Sequence, residues 1–356
     1  MPRISFDFFQ AQVDNKRSSF LFGLCFFLVM VAWSVLVYFI IKLLSSLFLA
    51  KYIPHTWRAP NQPFDPASLA LTLILLTIII FVSVRRISQI HNGGSTFIAT
   101  KIGAIPSSID GALGRNKLIS EREKILNNIV SEISVAASIS EPDLYILPGE
   151  LGINALAAGL DQDDACIIVS LGALKYLDRE ELSALVAHEF SHIINGDMRH
   201  FTMMAGWLHG LFFLQMIARQ KMFLFRSIKT VLLAGTMMAL GALGSLFGRI
   251  IQAAFSRRRE LLADASAAKF TRNPMALARV LKKIGGLAQG GIIQTAAVAD
   301  LNHFFLAKPE RSSAFSSHPP LADRIWLLDP QWDGWYYDFE ENPVDFLEIK
   351  KSSTKT

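Results

Sequence analysis

The sequence predicts an α+β integral membrane protein with about four transmembrane helices and one soluble mixed domain. Three observations predict it. Apolar residues fill 51% of the 356 positions and charged residues only 18%, less charge than soluble domains of this length usually carry. Four long apolar runs are spaced along the chain. Between the second and third lie helical stretches and short strand-like pieces, punctuated by Gly, Pro and Asp.

Residues 20–41 carry no charge and suffice to cross a bilayer as a helix, at about 1.5 Å per residue against roughly 30 Å of hydrocarbon. Lys16 and Arg17 precede this run, which exceeds a signal-peptide core of roughly 7–15 residues, so it reads as an uncleaved anchor. Residues 67–84 form a second crossing, closed by Arg85 and Arg86 after the proline-rich connection "KYIPHTWRAPNQPFDP". The positive-inside rule puts Lys16, Arg17, Arg85 and Arg86 in the cytoplasm, against the weaker pull of Lys42, Lys51 and Arg58. The soluble part is therefore expected on the cytoplasmic side.

Residues 201–218 and 230–248 are the third and fourth runs, joined by "RQKMFLFRSIK" with Arg219, Lys221, Arg226 and Lys229. If both cross, this basic linker sits outside, against the rule; a shallow hairpin that does not cross is the alternative. Gly206, Gly210, Gly235, Gly241 and Gly244 point to close packing against neighbours. The division that follows is an N-terminus over 1–19, two spans over 20–84, and a first soluble part over 85–200. A membrane hairpin over 201–248, a second soluble part over 249–328 and an acidic, aromatic tail over 329–356 complete it.

In the soluble part, "RNKLISEREKILNNIVSEISVAAS" has helical periodicity with Leu118, Ile125, Ile129 and Ile133 on one face. "LYILPG", "INALAAG" and "ACIIVSLG" read as strands. "DREELSALVAHEFSHIING" reads as the next helix, with Asp178 as N-cap and Glu181 three residues later. A net charge of +5 without a basic stretch interleaved with aromatics argues against nucleic acid as a partner. Cys25 in the first run and Cys166 in a strand make no disulfide framework, which fits a reducing compartment.

The chemistry starts at "AHEFSHIINGD". His188 and His192 are four apart, on one face of a helix, where two neutral imidazoles can share a zinc ion at about 2.0–2.1 Å. Glu189, beside the first histidine, can reach an attacking water without being a ligand. Catalytic zinc takes three protein ligands and keeps one open position. "SRRRELLADASAAKF" offers Glu260 as the third, and Asp264 one turn later as acceptor for a ligand histidine's N–H. An exposed Glu260 paired with Arg257, and an ordinary solvated Asp264, are the plainer alternatives. Arg257, Arg258 and Arg259 are expected at lipid headgroups. "SSHPPLADRIWLL" supplies His318 and Arg324, with His318 stiffly presented before two prolines and able to stabilise an oxyanion.

Taken together, "AHEFSHIINGD", "SRRRELLADASAAKF" and "SSHPPLADRI" in that order, with a helical hairpin between the first two and "INALAAG" ahead of "ACIIVSLGAL", resemble the HtpX-type membrane zinc endopeptidases. Those are relatives of the CAAX prenyl endopeptidases. The resemblance covers the two leading spans and the stretch from about residue 115 to 328. It implies a cytoplasmic zincin-like (gluzincin) metalloprotease domain in a multi-pass protein of the cell (inner) membrane. By that likeness His188, His192 and Glu260 hold one Zn2+ per chain, and Glu189 is the general base. His318 and Arg324 contact substrate or oxyanion. Asn154 and Ala155 enter an edge strand to which an extended peptide substrate can add. The implied task is clearing damaged or misfolded membrane proteins without a nucleotide, with protein substrates and the lipid bilayer as partners. The tail "DPQWDGWYYDFEENPVDFLEIKKSSTKT" departs from the family's pattern, and its aromatics are expected to pack on the catalytic domain. A prenyl-peptide endoprotease is the second reading, and a catalytically silent membrane adaptor the third. A transporter is disfavoured because the first two spans hold no charged residue.

Overall fold

Uncharged apolar runs have one way to satisfy their backbone in a bilayer, and here they form helices. The computed structural model describes residues 8–46, 65–107, 117–221, 228–287 and 318–339. Lys51 and Arg58 of the first connection, Arg226 of the basic linker, the tail past residue 339 and the side chain of Leu118 lie outside the described set. Helix α1 spans Phe8–Leu44, α2 Pro66–Ile102, α6 Asp197–Lys221 and α7 Ile228–Thr271. Among the described residues, four segments are long and apolar enough to cross a membrane: Gly23–Leu44, Pro66–Ile102, Asp197–Gln220 and Ala234–Thr271. The protein is a mostly helical, multi-pass membrane protein with a small sheet.

Two compact units emerge. One comprises Asp14–Gln89 and Met203–Phe255. Its core gathers Trp33, Val37, Ile79, Leu211, Leu214 and Leu240, and the Trp33 indole donates to the Leu240 carbonyl at 3.1 Å. Large apolar side chains such as Phe27, Phe39 and Phe81 face outward, as lipid contact requires. A Cβ at Gly210 would stand 2.0 Å from Ser83 Oγ, and one at Gly206 2.3 Å from Ile87 Cγ1, so both glycines let α6 approach α2 closely. Gly235, by contrast, faces open space. The second crossing is expected over residues 67–84; helix α2 itself runs on past Arg85 and Arg86 to Ile102. Nothing in its sequence breaks a helix before Gly94, which adopts a left-handed φ of 59°. The Asp164 carboxylate there accepts from Ser95 N at 3.1 Å.

The other unit comprises Met1–Val13, Ile90–Thr202 and Ser256–Thr356. Its four strands are β1 Ile105–Pro106, β2 Asp143–Leu147, β3 Ala155–Ala158 and β4 Cys166–Ser170, in the order β1-β2-β4-β3. β2 runs parallel to β4, with Tyr145 opposite Ile168, while β3 pairs antiparallel at the edge, with Leu156 opposite Ile168. Helices α3 (Lys117–Ala137), α4 (Leu171–Tyr176), α5 (Arg179–Ile194), α8 (Pro274–Gly286) and α9 (Leu321–Leu328) complete the unit. Ile129 and Ile133 of α3 are buried as their spacing predicts, Ile125 only partly. Leu126 and Val130 carry the centre of that face. The expected capping box is present: Asp178 accepts from Glu181 N at 2.8 Å, and Glu181 accepts from Asp178 N at 2.9 Å. α5 is then buried along nearly its whole length, packed between α3, β3 and α8. Polar groups carried on its inner turns must therefore find partners inside the protein.

Candidate metal centre

Three elements of the sheet-bearing unit converge on one point. The 3.6-residue period of α5 stacks His188 and His192 on one face, ring centroids 5.0 Å apart. α7 brings Glu260 to them: His188 Nε2 lies 3.6 Å from Glu260 Oε2, and His192 Nε2 lies 3.6 Å from Glu260 Oε1. His318, on the segment entering α9, places Nδ1 3.2 Å from Glu260 Oε2. All four side chains are buried. The alternative of an exposed Glu260 paired with Arg257 does not hold.

His188 Nδ1 lies 3.0 Å from Asp264 Oδ1, and His192 Nδ1 lies 2.9 Å from Asp197 Oδ2. An ionised carboxylate only accepts, so a neutral imidazole beside it keeps its proton on Nδ1 and leaves Nε2 for a ligand; Nε2 of both rings faces Glu260. Each aspartate is held by an arginine. Arg324 grips Asp264 through Nε and Nη2 at 2.7 Å each, and Arg259 Nη1 contacts Asp197 Oδ1. Arg324 Nη1 also reaches within 3.4 Å of Glu260 Oε2.

These atoms suit a metal ion. Ligand atoms about 2.0–2.2 Å from a tetrahedral centre stand about 3.3–3.6 Å from one another, the separation found between each Nε2 and the Glu260 oxygens. Among the described residues, His188, His192 and Glu260 form the one group whose ligand atoms all lie within 4.8 Å of each other. His188 Nε2 and Glu260 Oε2 have no hydrogen-bond partner although they are buried, a cost that coordination removes. Glu189, Glu260, Asp264 and Asp197 are all buried here beside Arg259 and Arg324, an excess of acidic groups that suits a cation.

Without the ion, the imidazoles respond to this negative excess. Burial alone would lower the His188 pKa, but Asp264 and Glu260 together outweigh it and raise the group to about 9. Burial likewise opposes a charged His192, and the hydrogen bond to Asp197 leads the terms that raise it. Burial holds the Glu189 carboxyl above its usual range, against the pull of His188 and His192. Both Glu189 oxygens are buried without a hydrogen-bond partner, beside the ligand face and against β3.

The structure thus gathers His188, Glu189, His192, Glu260, Asp264, His318 and Arg324 within one unit. Arg324 is fully buried and binds Asp264 through Nε and Nη2, with Nη1 toward Glu260. Asn154 and Ala155 stand where the chain enters the edge strand β3, with Asn154 O accepting from Ser170 N at 3.0 Å. The expectation that Arg259 sits among lipid headgroups is overturned: it is buried against Asp197, because a charge one residue from Glu260 on α7 turns inward with it. Asp197 was missed. Its signal was available in "INGD", where Gly196, at φ 68°, turns the chain from α5 into α6 and sets Asp197 back against His192.

Several known proteins resemble this chain. The model of peptidase family M48 matches residues 120–330, more than half of the chain. A protein named "Protease HtpX homolog" from Thermoanaerobacter pseudethanolicus is 30% identical over 334 residues, covering 90% of this chain and 96% of that one. Its namesake from Caldanaerobacter subterraneus subsp. tengcongensis is 29% identical with the same coverage. That from Dictyoglomus thermophilum is 34% identical over 214 residues, covering 59% of this chain and 70% of its own length. The crystal structure of S. mikatae Ste24p aligns at a TM-score of 0.44 and 17% identity, covering 89% of this chain and 67% of that one. By the match over residues 120–330 and the near full-length relatives, the chain belongs to peptidase family M48.

Proposed function

We propose that this protease is a zinc-dependent membrane endopeptidase, with its catalytic unit facing the cytoplasm of the cell inner membrane. The observation that carries the reading is the meeting of His188 Nε2 and His192 Nε2 with the Glu260 carboxylate at 3.6 Å. Two imidazoles and a carboxylate are the donor set of many catalytic zinc sites, which leave a fourth position open. Zinc, when bound, supplies a Lewis acid that lowers the pKa of water and polarises the scissile carbonyl.

The chain's own groups supply the rest. Asp264 and Asp197 stand beside the outer nitrogens of the two imidazoles, where carboxylates commonly support ligand histidines. Glu189 stands beside the ligands with both oxygens unclaimed. It takes a proton from the attacking water and returns it to the departing amine. His318, beside Glu260, is a donor for the negative charge that develops on the carbonyl oxygen. The edge strand β3, entered at Asn154 and Ala155, is the place where an extended peptide can add as a further strand, read through its backbone and independent of side-chain sequence. Such indifference suits a protease that removes misfolded membrane proteins. Lys16, Arg17, Arg85 and Arg86 support the orientation.

The test is zinc quantitation on detergent-purified protein together with cleavage of a casein-type substrate. About one zinc per chain is expected. Glu189→Gln keeps the zinc and loses cleavage by about a hundredfold or more, while His188→Ala loses both. Wild-type cleavage by Glu189→Gln removes Glu189 from the mechanism. A contest between prenylated and unmodified peptides separates the prenyl-peptide reading.

A further inference from the structure

None of the proton transfers above uses Asp197 or Arg259, yet both are buried at the centre. We propose that Asp197, clamped by Arg259, is a positioning residue that fixes the tautomer and aim of His192 toward a divalent cation. The same pair locks the Glu260 turn of α7 to the start of α6. The inference rests on the reading of His188, His192 and Glu260 as metal ligands.

Asp197 divides its two oxygens: Oδ2 lies 2.9 Å from His192 Nδ1, and Oδ1 meets Arg259 Nη1. The first contact leaves His192 Nε2 free to face Glu260 Oε1, 3.6 Å away. The second fastens residues 62 positions apart in sequence, and Arg259 is the immediate neighbour of Glu260. One carboxylate therefore sets the direction of one ligand and the position of another. His188 has the same arrangement in Asp264 and Arg324, but Arg324 itself touches Glu260, whereas Arg259 acts on Glu260 through the backbone of α7. The two arms are therefore not interchangeable. Without Arg259, Asp197 would be a buried charge with one oxygen uncompensated and no fixed orientation to impose on the ring.

Zinc affinity of the full-length, detergent-purified protein, measured by competition with a chromophoric chelator, tests this. Asp197→Asn is expected to bind zinc ten- to a hundredfold more weakly, within the usual range for such partners of a ligand histidine. The visible bands of its cobalt-loaded form shift as the His192 ligand is re-aimed. Arg259→Ala loses affinity by a similar factor, and the double variant by no more than the larger single loss, because the two act as one unit. Arg259→Lys recovers part of that loss and carries the test if Asp197→Asn does not fold. Arg258→Ala, at the exposed neighbouring position, leaves zinc affinity unchanged. Unchanged affinity and cobalt bands in Asp197→Asn, or unchanged affinity in both Arg259 variants, overturn the proposal while zinc in the unaltered protein keeps the metal reading. Failure of the unaltered protein to take up zinc removes both.

Discussion

Arg324 holds both oxygens of Asp264, through Nε and Nη2 at 2.7 Å each, with no part of the guanidinium exposed. Burial disfavours its charge, but Asp264 first, then Glu260 and Glu189, more than compensate and raise its pKa. Arg324→Ala strands the Asp264 carboxylate in the interior, which costs about 3–5 kcal/mol for a buried pair broken on one side. Arg324→Lys keeps the charge but not the two-pronged geometry. The expected order in thermal midpoint and in zinc retained through gel filtration is wild type, then Lys, then Ala. A Lys variant equal to wild type in both shows that charge alone suffices.

The metal-free protein and the metal-bound protein respond to pH in opposite directions. His188, raised from 6.5 to about 9 without the ion, binds a proton more tightly when folded than when unfolded. Its contribution to stability is fully present below about pH 6.5 and is lost as the pH rises through about 9. Over the same interval zinc competes better, gaining up to about tenfold in apparent affinity per pH unit for each imidazole that must give up its proton. Melting curves of chelator-treated protein between pH 6 and 9.5 are expected to decline, while zinc affinity climbs. A zinc affinity that stays flat over this range removes the histidines from the ligand set.

Most of the centre was legible because its parts repeat along the chain in local codes. The i, i+4 histidines and the Asp178–Glu181 box are patterns within one helix, and short apolar pieces between Gly, Pro and Asp punctuation gave β2, β3 and β4. What was hidden depended on tertiary direction. A run of three arginines reads as a headgroup anchor, and only packing shows that Arg259 turns inward with Glu260. That Arg324 meets Asp264 is likewise a matter of packing, 60 positions apart in sequence. α8 and α9 were not foreseen; they are 13 and 8 residues long, and their apolar stripes gain meaning only as α8 packs on α5 and α9 on α8. The continuation of α2 past Arg85 was missed because a charge pair marks the end of hydrocarbon, not the end of a helix.

Gly172 opens α4 directly behind the segment that leads into β3. A Cβ there would stand 2.2 Å from Leu151 O and 2.4 Å from Gly152 O, backbone atoms that cannot swing aside as a side chain can. Gly172 N also donates to Glu150 O at 3.0 Å, tying the same turn. Gly172→Ala is expected to cost about 1–3 kcal/mol by overpacking and to push residues 150–154 outward. Zinc content should stay at the wild-type level while KM for an extended peptide rises several-fold. An unchanged KM means that Asn154 and Ala155 do not help receive the substrate.

The aromatic tail raises the question of whether it braces the catalytic unit or gates it. Trp332 is 8% exposed and belongs to the same core as α5. Its indole donates to Trp335 O at 2.7 Å, and its ring meets Trp326 of α9 at 5.8 Å. Lys282 of α8 binds Asp329 at 2.8 Å, and Tyr336 lies so close to Gly285 that a Cβ there would meet its ring at 2.1 Å. The tail thus backs α9, which carries Arg324. Trp332→Ala is expected to cost about 3–5 kcal/mol, as for other large aromatic truncations in a core, and to speed zinc loss to a chelator because α9 loosens its hold on Asp264. Trp335, 79% exposed, is the contrast: its alanine variant should change stability by less than about 0.5 kcal/mol and leave cleavage untouched. Faster cleavage by Trp335→Ala at unchanged thermal midpoint would instead make the tail a gate.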